Sequence, residues 1–397
     1  MMGAKAPNVS TAALVFKEVF PLNFLKKFLI YLLCGALLVG SGFFIGTRLG
    51  GSPDASKKLT VQSPTTVPTE APETTAAPET TEEETEAAAE HSGAYSLSFV
   101  GSLTLGNDGF MATTSSSFAA VVGDDYGYPL KNVAELLSQD DLTIGNLECA
   151  LTDQDYSTKG GARLYKGEPG YANILSLGGV DVVSLANDHS LDYGETGLAA
   201  TVEALDASAV KSVQKDTALV VDAGGLKVGI YAITSQASSD DIDAAVQQLR
   251  DQGAQLIVAA THWGGEDTYV VNPDQKKLGR KLIDAGVNIV CGTGPQHVQK
   301  IENYHGGIIY YSLGSLVSGV SDYPGDMDSV IIQQEVLLDE TGAVTLGEHI
   351  SIPVCMSSAT PQNIYQAAIY PTDSTAYSRV GQKLFDDYTF GRNAQEY

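Results

Sequence analysis

From Phe28 to Gly46 the chain carries no charged residue, and Leu, Phe, Ile, Val and Gly dominate those nineteen positions. A helix of that length spans a hydrocarbon core of ~30 Å, so a transmembrane helix is expected over residues 25–47. Lys5, Lys17, Lys26 and Lys27 precede or open the run, whereas only Arg48 follows closely, with Lys57 and Lys58 beyond. The positive-inside tendency then keeps the short segment 1–24 in the cytoplasm and places everything after Thr47 outside. A cleaved signal peptide has a shorter apolar stretch. Small residues between Ala36 and Gly42 leave cleavage open, but the length favours an uncleaved single-pass anchor in the cell membrane.

Residues 48–92 change character, with phrases such as Pro68-Thr69-Glu70-Ala71-Pro72-Glu73 and Thr81-Glu82-Glu83-Glu84-Thr85-Glu86. Such a stretch has too little apolar surface to offset its ordering entropy, and its like charges extend it. A disordered stalk is expected there. From residue 93 to residue 397 the pattern is that of one large extracytoplasmic domain in which short apolar runs alternate with amphipathic ones. Strands are expected at Tyr95 to Val100, Leu142 to Gly145, Val180 to Leu185, Ala218 to Val221, Lys227 to Ile233, Gln255 to Ala260, Asn288 to Cys291 and Ile308 to Leu313. Helices are expected at Leu130 to Ser138, Tyr171 to Leu177, Glu195 to Ala207, Asp240 to Gln252 and Pro273 to Ala285, with a weaker helical pattern from Thr375. This alternation argues for helices flanking a buried sheet. Gly224-Gly225 and Thr341-Gly342 each separate two strand-like runs and read as hairpins. Antiparallel additions of that kind disfavour a purely parallel doubly wound sheet, and a two-sheet sandwich with outer helices fits better.

The most informative stretch is Val180-Asp181-Val182-Val183-Ser184-Leu185, which runs straight into Ala186-Asn187-Asp188-His189 and then Asp192-Tyr193-Gly194. A buried strand here delivers Asn, Asp and His to its carboxyl end, where open α/β sheets place their sites. Singly, Asn187 or Asp188 can equally shape the turn or cap the next helix. Two carboxylates, an amide and an imidazole within six residues point instead to a metal or phosphate site. Four other strand ends carry comparable clusters. They are Gly101-Ser102-Leu103-Thr104, Gly145-Asn146-Leu147-Glu148, Thr261-His262-Trp263-Gly264 and Gly292-Thr293-Gly294-Pro295-Gln296-His297. If these strands share a sheet edge the clusters converge, as a site drawing oxygen and imidazole ligands from separate strands requires. His262 beside the only Trp also suits a packed histidine, and Glu148 a surface carboxylate.

Charge narrows the partners. The formal net charge is −25, from 23 Lys and Arg against 48 Asp and Glu. Nucleic acid binding is not expected, because phosphates need clustered bases. Of the four cysteines, Cys34 lies in the apolar run and Cys149, Cys291 and Cys355 remain. They have no zinc-type spacing and read as small buried hydrophobes, a Cys149 to Cys291 disulfide being the alternative outside the cell.

Asn146-Leu147-Glu148, Ala186-Asn187-Asp188-His189 with Asp192-Tyr193-Gly194, His262-Trp263-Gly264, Ile301-Glu302 and Tyr311-Ser312-Leu313-Gly314 resemble, in order and spacing, the CapA family of poly-γ-glutamate capsule synthesis proteins. The likeness runs from about Ser96 to Val317. It implies a calcineurin-type metallophosphoesterase fold, a four-layer α/β/β/α sandwich whose sheet-edge loops can hold metals. Carried over by position, Glu148, Asn187 and His262 are the metal-site residues, and His189, with Asp188, is the catalytic pair. Asn146, Asp192, Gly292, Thr293 and His297 are the substrate-binding candidates, with the Gly292 turn offering backbone N–H groups to an anion.

The sequence departs from the family pattern at both ends of the site. Ser102 stands where the family has an Asp, and Gly292-Thr293-Gly294-Pro295-Gln296 replaces Gly-His-His-Pro-His, with His297 displaced by one position. Neutral hydroxyl and amide oxygens offset no cationic charge. A tight binuclear centre is therefore not expected, and the choice lies between one weakly held divalent ion (Mn, Fe or Zn) and none. The resemblance implies a membrane-anchored protein that assists synthesis, export or attachment of an anionic envelope polymer, its partners being the membrane and that polymer or its synthase and export complex. The alternative is an active extracellular metal-dependent phosphoesterase.

Overall fold

A computed structural model of the chain describes residues 92–385 other than 110, 156 and 158–162. The cytoplasmic segment, membrane helix and stalk expected before residue 92 lie outside the described residues. Among the described residues no helix is long and apolar enough to cross a membrane.

The strands, in chain order, are β1 (Gly93–Thr104), β2 (Leu142–Leu147), β3 (Ala150–Leu151), β4 (Lys166–Gly167), β5 (Val182–Ser184), β6 (Lys211–Val213), β7 (Thr217–Ala223), β8 (Leu226–Thr234), β9 (Leu256–His262), β10 (Ile289–Thr293), β11 (Ile301–Tyr304), β12 (Gly307–Tyr310), β13 (Ser315–Ser318), β14 (Asp328–Leu338), β15 (Val344–Cys355) and β16 (Ala368–Ile369). The helices are α1 (Phe118–Val122), α2 (Ala134–Leu137), α3 (Ala172–Leu177), α4 (Gly194–Ala207), α5 (Ser239–Asp251), α6 (Pro273–Asp284) and α7 (Thr375–Phe385).

One sheet runs β16-β15-β14-β1-β2-β5-β6, with β13 added on β1, and the other runs β11-β12-β10-β9-β8-β7. In the first, β1, β2, β5 and β6 are parallel. In the second, β8, β9, β10 and β12 are parallel. Both expected hairpins are present: β7 and β8 pair around Gly224-Gly225, and β14 and β15 around Thr341-Gly342. The central strands β2, β9 and β10 are buried at every position. Burial on both faces explains why they read as continuous apolar runs rather than alternating ones.

Leu97, Phe99, Ile144 and Val182 of the first sheet share one core with Ile230, Val258, Ile289 and Cys291 of the second. On the far side of the first sheet, Val100, Leu147 and Val183 pack with Phe118, Leu137, Ile174 and Leu205 from α1 to α4. On the far side of the second, Ile257 and Val290 pack with Ile242, Leu249, Leu278 and Leu282 of α5 and α6. The layers are thus helix, sheet, sheet, helix. Helix α7 departs from that scheme, since Val380 and Leu384 enter the core between the sheets.

Two local devices set the site edge. Ser184 Oγ accepts from Ala186 N at 3.1 Å, which curls the chain out of the ladder, so the expected strand Val180 to Leu185 is regular only over Val182–Ser184. At Gly101 a Cβ would lie 2.0 Å from Gly314 O, so only glycine lets that carbonyl approach and accept from Ser102 N at 3.0 Å. This contact leads β13 onto the end of β1.

Cys149 lies in the outer core and Cys291 between the sheets, on opposite faces of the first sheet, so the alternative disulfide is not formed and both thiols are free. Burial pushes each thiol up to about 12. Thiolate is the reactive form, so alkylating reagent at neutral pH is expected to leave Cys149 and Cys291 unmodified in the native chain and to label both after denaturation. Peptide mapping by mass spectrometry reads this, and rapid native labelling of either residue contradicts the buried placement.

Candidate functional site at the joined sheet edges

The carboxyl ends of β1, β2 and β5 meet those of β9 and β10, and the strand-end clusters form one network. Asn146 Nδ2 donates to Ser102 Oγ and to Glu148 Oε2, both at 3.2 Å. Gln296 Nε2 crosses from the other sheet to Glu148 Oε1 at 3.2 Å, and Gln296 Oε1 accepts from Ser315 Oγ at 3.0 Å. Glu148 is buried, with each of its oxygens held by an amide.

Asn187 fastens the polar turn to this network. Its Nδ2 donates to Asn146 Oδ1 at 3.0 Å and Leu147 O at 2.8 Å. Its Oδ1 accepts from His189 N, Ser190 N and Ser190 Oγ, each at 3.0 Å. The turn presents His189, whose Nδ1 lies 2.7 Å from Asp192 Oδ2. Asp192 is fully buried and also accepts from Tyr165 N at 2.8 Å. The imidazole stacks on the Tyr165 ring, with centroids 3.6 Å apart and planes at 17°. A carboxylate on Nδ1 fixes the proton there and leaves Nε2 as the basic nitrogen. Burial pushes the Tyr165 phenol up to about 12, so it stays neutral.

On the second sheet, His262 Nε2 lies 3.8 Å from Asp188 Oδ2, and Nδ1 lies 3.3 Å from Thr293 Oγ1. Asp188 is largely exposed at the turn. The Thr293 hydroxyl donates to Thr261 O at 3.1 Å. Gly292 and Gly294 do not form the open backbone cradle expected of them. A Cβ at Gly292 would lie 2.3 Å from Tyr311 O, and one at Gly294 would lie 2.3 Å from Trp263 O, with φ at +109°. The turn is packed against Trp263, whose N donates to Thr293 O at 3.0 Å. Gly292 and Gly294 thus hold the turn against Tyr311 and Trp263, and the Thr293 hydroxyl is engaged with Thr261 O.

His297 leaves the network altogether. Its Nε2 lies 3.9 Å from Asp326 Oδ2, its Nδ1 4.0 Å from Asp267 Oδ1, and its ring 4.3 Å from that of Tyr269. Burial holds its pKa below the ordinary imidazole value. It lines a cleft of about 340 Å³ beside the network, which also shares Tyr165, Gln296 and Ser315. Sequence reasoning missed Tyr165 and Ser315. Tyr165 follows no strand-end cluster and carried no signal, whereas Ser315 directly follows the matched Tyr311 to Gly314 motif.

The residues present do not fit the expected metal. The only ligating oxygen of Asn187 is taken by three donors of its own turn, and amide groups sit on both Glu148 oxygens where a cation would bind. Among the described residues no group of three His, Cys, Asp or Glu side chains converges. Of the three expected ligands, Glu148 and Asn187 are both hydrogen-bonded to Asn146, whereas His262 meets Thr293 and Asp188.

The model of the bacterial capsule synthesis protein family, PGA_cap, matches residues 96–320. The chain belongs to that family. It is 27% identical over 299 residues to the capsule biosynthesis protein CapA of Bacillus anthracis, covering 68% of this chain and 69% of that protein. It is 22% identical over 325 residues to the PGA biosynthesis protein CapA of Bacillus subtilis, covering 76% and 80%. A probable polyglutamine synthesis accessory protein of Mycobacterium tuberculosis is 28% identical over 218 residues, 47% of this chain and 57% of that one. A 5'-nucleotidase structure from Candida albicans aligns at a TM-score of 0.38 and 11% identity, over 72% of this chain and 56% of that one, too distant to assign a fold. In this member of the family Asn146, Glu148 and Asn187 form one hydrogen-bonded unit.

Proposed function

We propose that the protein is an extracytoplasmic accessory component in the assembly of a glutamyl capsule polymer, tethered to the cell membrane through residues 25–47 and the stalk behind them. The observation that carries this reading is the family match over residues 96–320, within which Asn146, Glu148 and Asn187 form a polar network bordering an open cleft. The named roles of the Bacillus relatives in capsule and PGA biosynthesis support it. The layered fold is then a metallophosphoesterase-type sandwich that handles polymer or its synthesis complex without metal chemistry. Deleting the gene is expected to lower the amount or attachment of surface polymer, with rescue by the full chain and not by a chain lacking residues 25–47. Unchanged polymer after deletion ends the proposal.

The second reading, a metal-dependent phosphoesterase, draws on the oriented His189 and Asp192 pair. Elemental analysis separates the two. The full chain is expected to purify with well below one equivalent of Mn, Fe or Zn and to leave a generic phosphodiester intact. Stoichiometric metal with turnover abolished by His189→Ala would establish the hydrolase instead.

A further inference from the structure

Two hydroxyl groups on the cleft wall have nothing to bond to. Tyr165 is 4% exposed and Ser318 5%, and both line the cleft. Among the described residues neither Tyr165 Oη nor Ser318 Oγ has a hydrogen-bond partner, yet neither atom is sealed from solvent. A hydroxyl kept this way has one O–H to donate and lone pairs to accept with. Both are held in place, Tyr165 by its stack on His189 and Ser318 by its pairing with Thr104 of β1. The same lining carries an open acceptor and an apolar surface. The Asp267 side chain is 85% exposed, and none of the described residues donates a hydrogen bond to it. Tyr323 is 66% exposed and stands next to Pro324.

Charge narrows what can meet these groups. Arg163 is tied to Glu266 at 3.1 Å and Lys383 to Asp326 at 2.5 Å, and carboxylates still outnumber cations along the lining, so an anion is repelled. A metal ion finds no group of three His, Cys, Asp or Glu side chains among the described residues. What fits is uncharged, carries several groups that both donate and accept, and has an apolar face to lay on an aromatic ring. From this geometry we infer that the cleft binds a neutral saccharide. One sugar hydroxyl donates to Asp267, others meet Tyr165 Oη and Ser318 Oγ, and a C–H face of the ring covers Tyr323. The volume of about 340 Å³ lies at the lower end of the ~300–1,000 Å³ usual for small-molecule sites, so the cleft takes a short saccharide segment. The inference stands apart from the capsule role, since a glutamyl polymer is itself an anion and is not the ligand of this cleft.

The test is calorimetric titration of the full chain in micelles of a sugar-free detergent. The probes are cellotriose, the matching N-acetylglucosamine trimer, cellotriose oxidised to carboxylates at its C6 hydroxyls, and 1,5-diaminopentane. At least one neutral trimer is expected to bind with a Kd of about 1 mM or tighter. The oxidised trimer is expected to bind roughly tenfold or more weakly, because the lining repels it. The preference between the two neutral trimers tells whether a plain or an N-acetylated sugar belongs there. Tyr165→Phe and Ser318→Ala each remove only a hydroxyl without a partner. The melting temperature of each is expected to hold while affinity falls roughly two- to tenfold, the worth of one hydrogen bond. No binding of either neutral trimer, equal binding of the oxidised one, tighter binding of the diamine, or affinity unchanged in both hydroxyl variants overturns the inference.

Discussion

Replacing Lys383 with alanine is expected to destabilise the domain by about 3–5 kcal/mol, the usual cost of removing one partner of a buried ion pair. Lysine is seldom fully buried, yet the Lys383 side chain is 0% exposed. Its Nζ lies 2.5 Å from Asp326 Oδ2 and 2.7 Å from Asp328 Oδ2. Arg379, one turn earlier on α7, grips Asp328 through Nε at 2.7 Å and Nη2 at 2.6 Å. Tyr269 and Tyr370 complete the two carboxylates, each donating at 2.9 Å. Two anions thus face two cations, and losing Lys383 leaves the buried Asp326 and Asp328 carboxylates short of a counter-charge. Lys383→Met, which keeps the volume, is expected to cost about as much as the alanine. Combining Lys383→Met with Asp326→Asn should recover part of the loss, because the partners are coupled. Equilibrium denaturation reads each value, and a loss in Lys383→Ala below about 1 kcal/mol would show that the cluster does not anchor α7.

The same cluster makes stability depend on pH. Burial alone would raise the Asp328 pKa, but the Arg379 hydrogen bond and the Lys383 charge outweigh it and hold the carboxyl below its ordinary 3.8. A depressed folded-state pKa means the contribution is complete above the unfolded value and is lost as pH falls through the folded one. The stability gap between the wild type and Asp328→Asn should therefore be widest near neutrality and close in acid below 3.8.

The buried parallel strands were the legible part of the fold. Runs such as Leu256 to Ala260 are apolar on both faces, and the double glycine at 224 and 225 marks a hairpin with little ambiguity. Strand β13 was not legible, because four residues with Ser at both ends carry no pattern, and its place depends on a missing Cβ at Gly101. The polar strand ends could be read as a converging site, since each cluster stands at the carboxyl end of its own strand. Its chemistry could not, because that depends on where single atoms point. Gln296 looks like a lost imidazole in the sequence, but in space it supplies an N–H to Glu148. His297 looks like the same histidine moved by one residue, yet that step turns it out of the network and into the cleft. Nor does sequence pair Lys383 with Asp326 and Asp328, which lie more than fifty residues away.

Asn187→Asp separates the two roles that this turn invites. As a metal ligand Asn187 would gain from the change, because a carboxylate binds a divalent cation better than an amide oxygen. As a fastener it would lose. The three donors from His189 and Ser190 keep an acceptor, but the two N–H groups aimed at Asn146 Oδ1 and Leu147 O become an oxygen facing two acceptors. The nearby Glu148 carboxylate adds repulsion. We expect Asn187→Asp to cost about 2 kcal/mol and Asn187→Ala about 3 kcal/mol, from unpaired groups left at a half-buried site. Neither variant should bind Mn or Zn more tightly than the wild type. Thermal unfolding with and without added metal measures both effects. An Asn187→Asp chain as stable as the wild type, and stabilised further by stoichiometric Mn, would restore the ligand role and with it the hydrolase. A chain that melts early whatever the metal fixes Asn187 as the residue that ties the His189 turn to the β2 strand end.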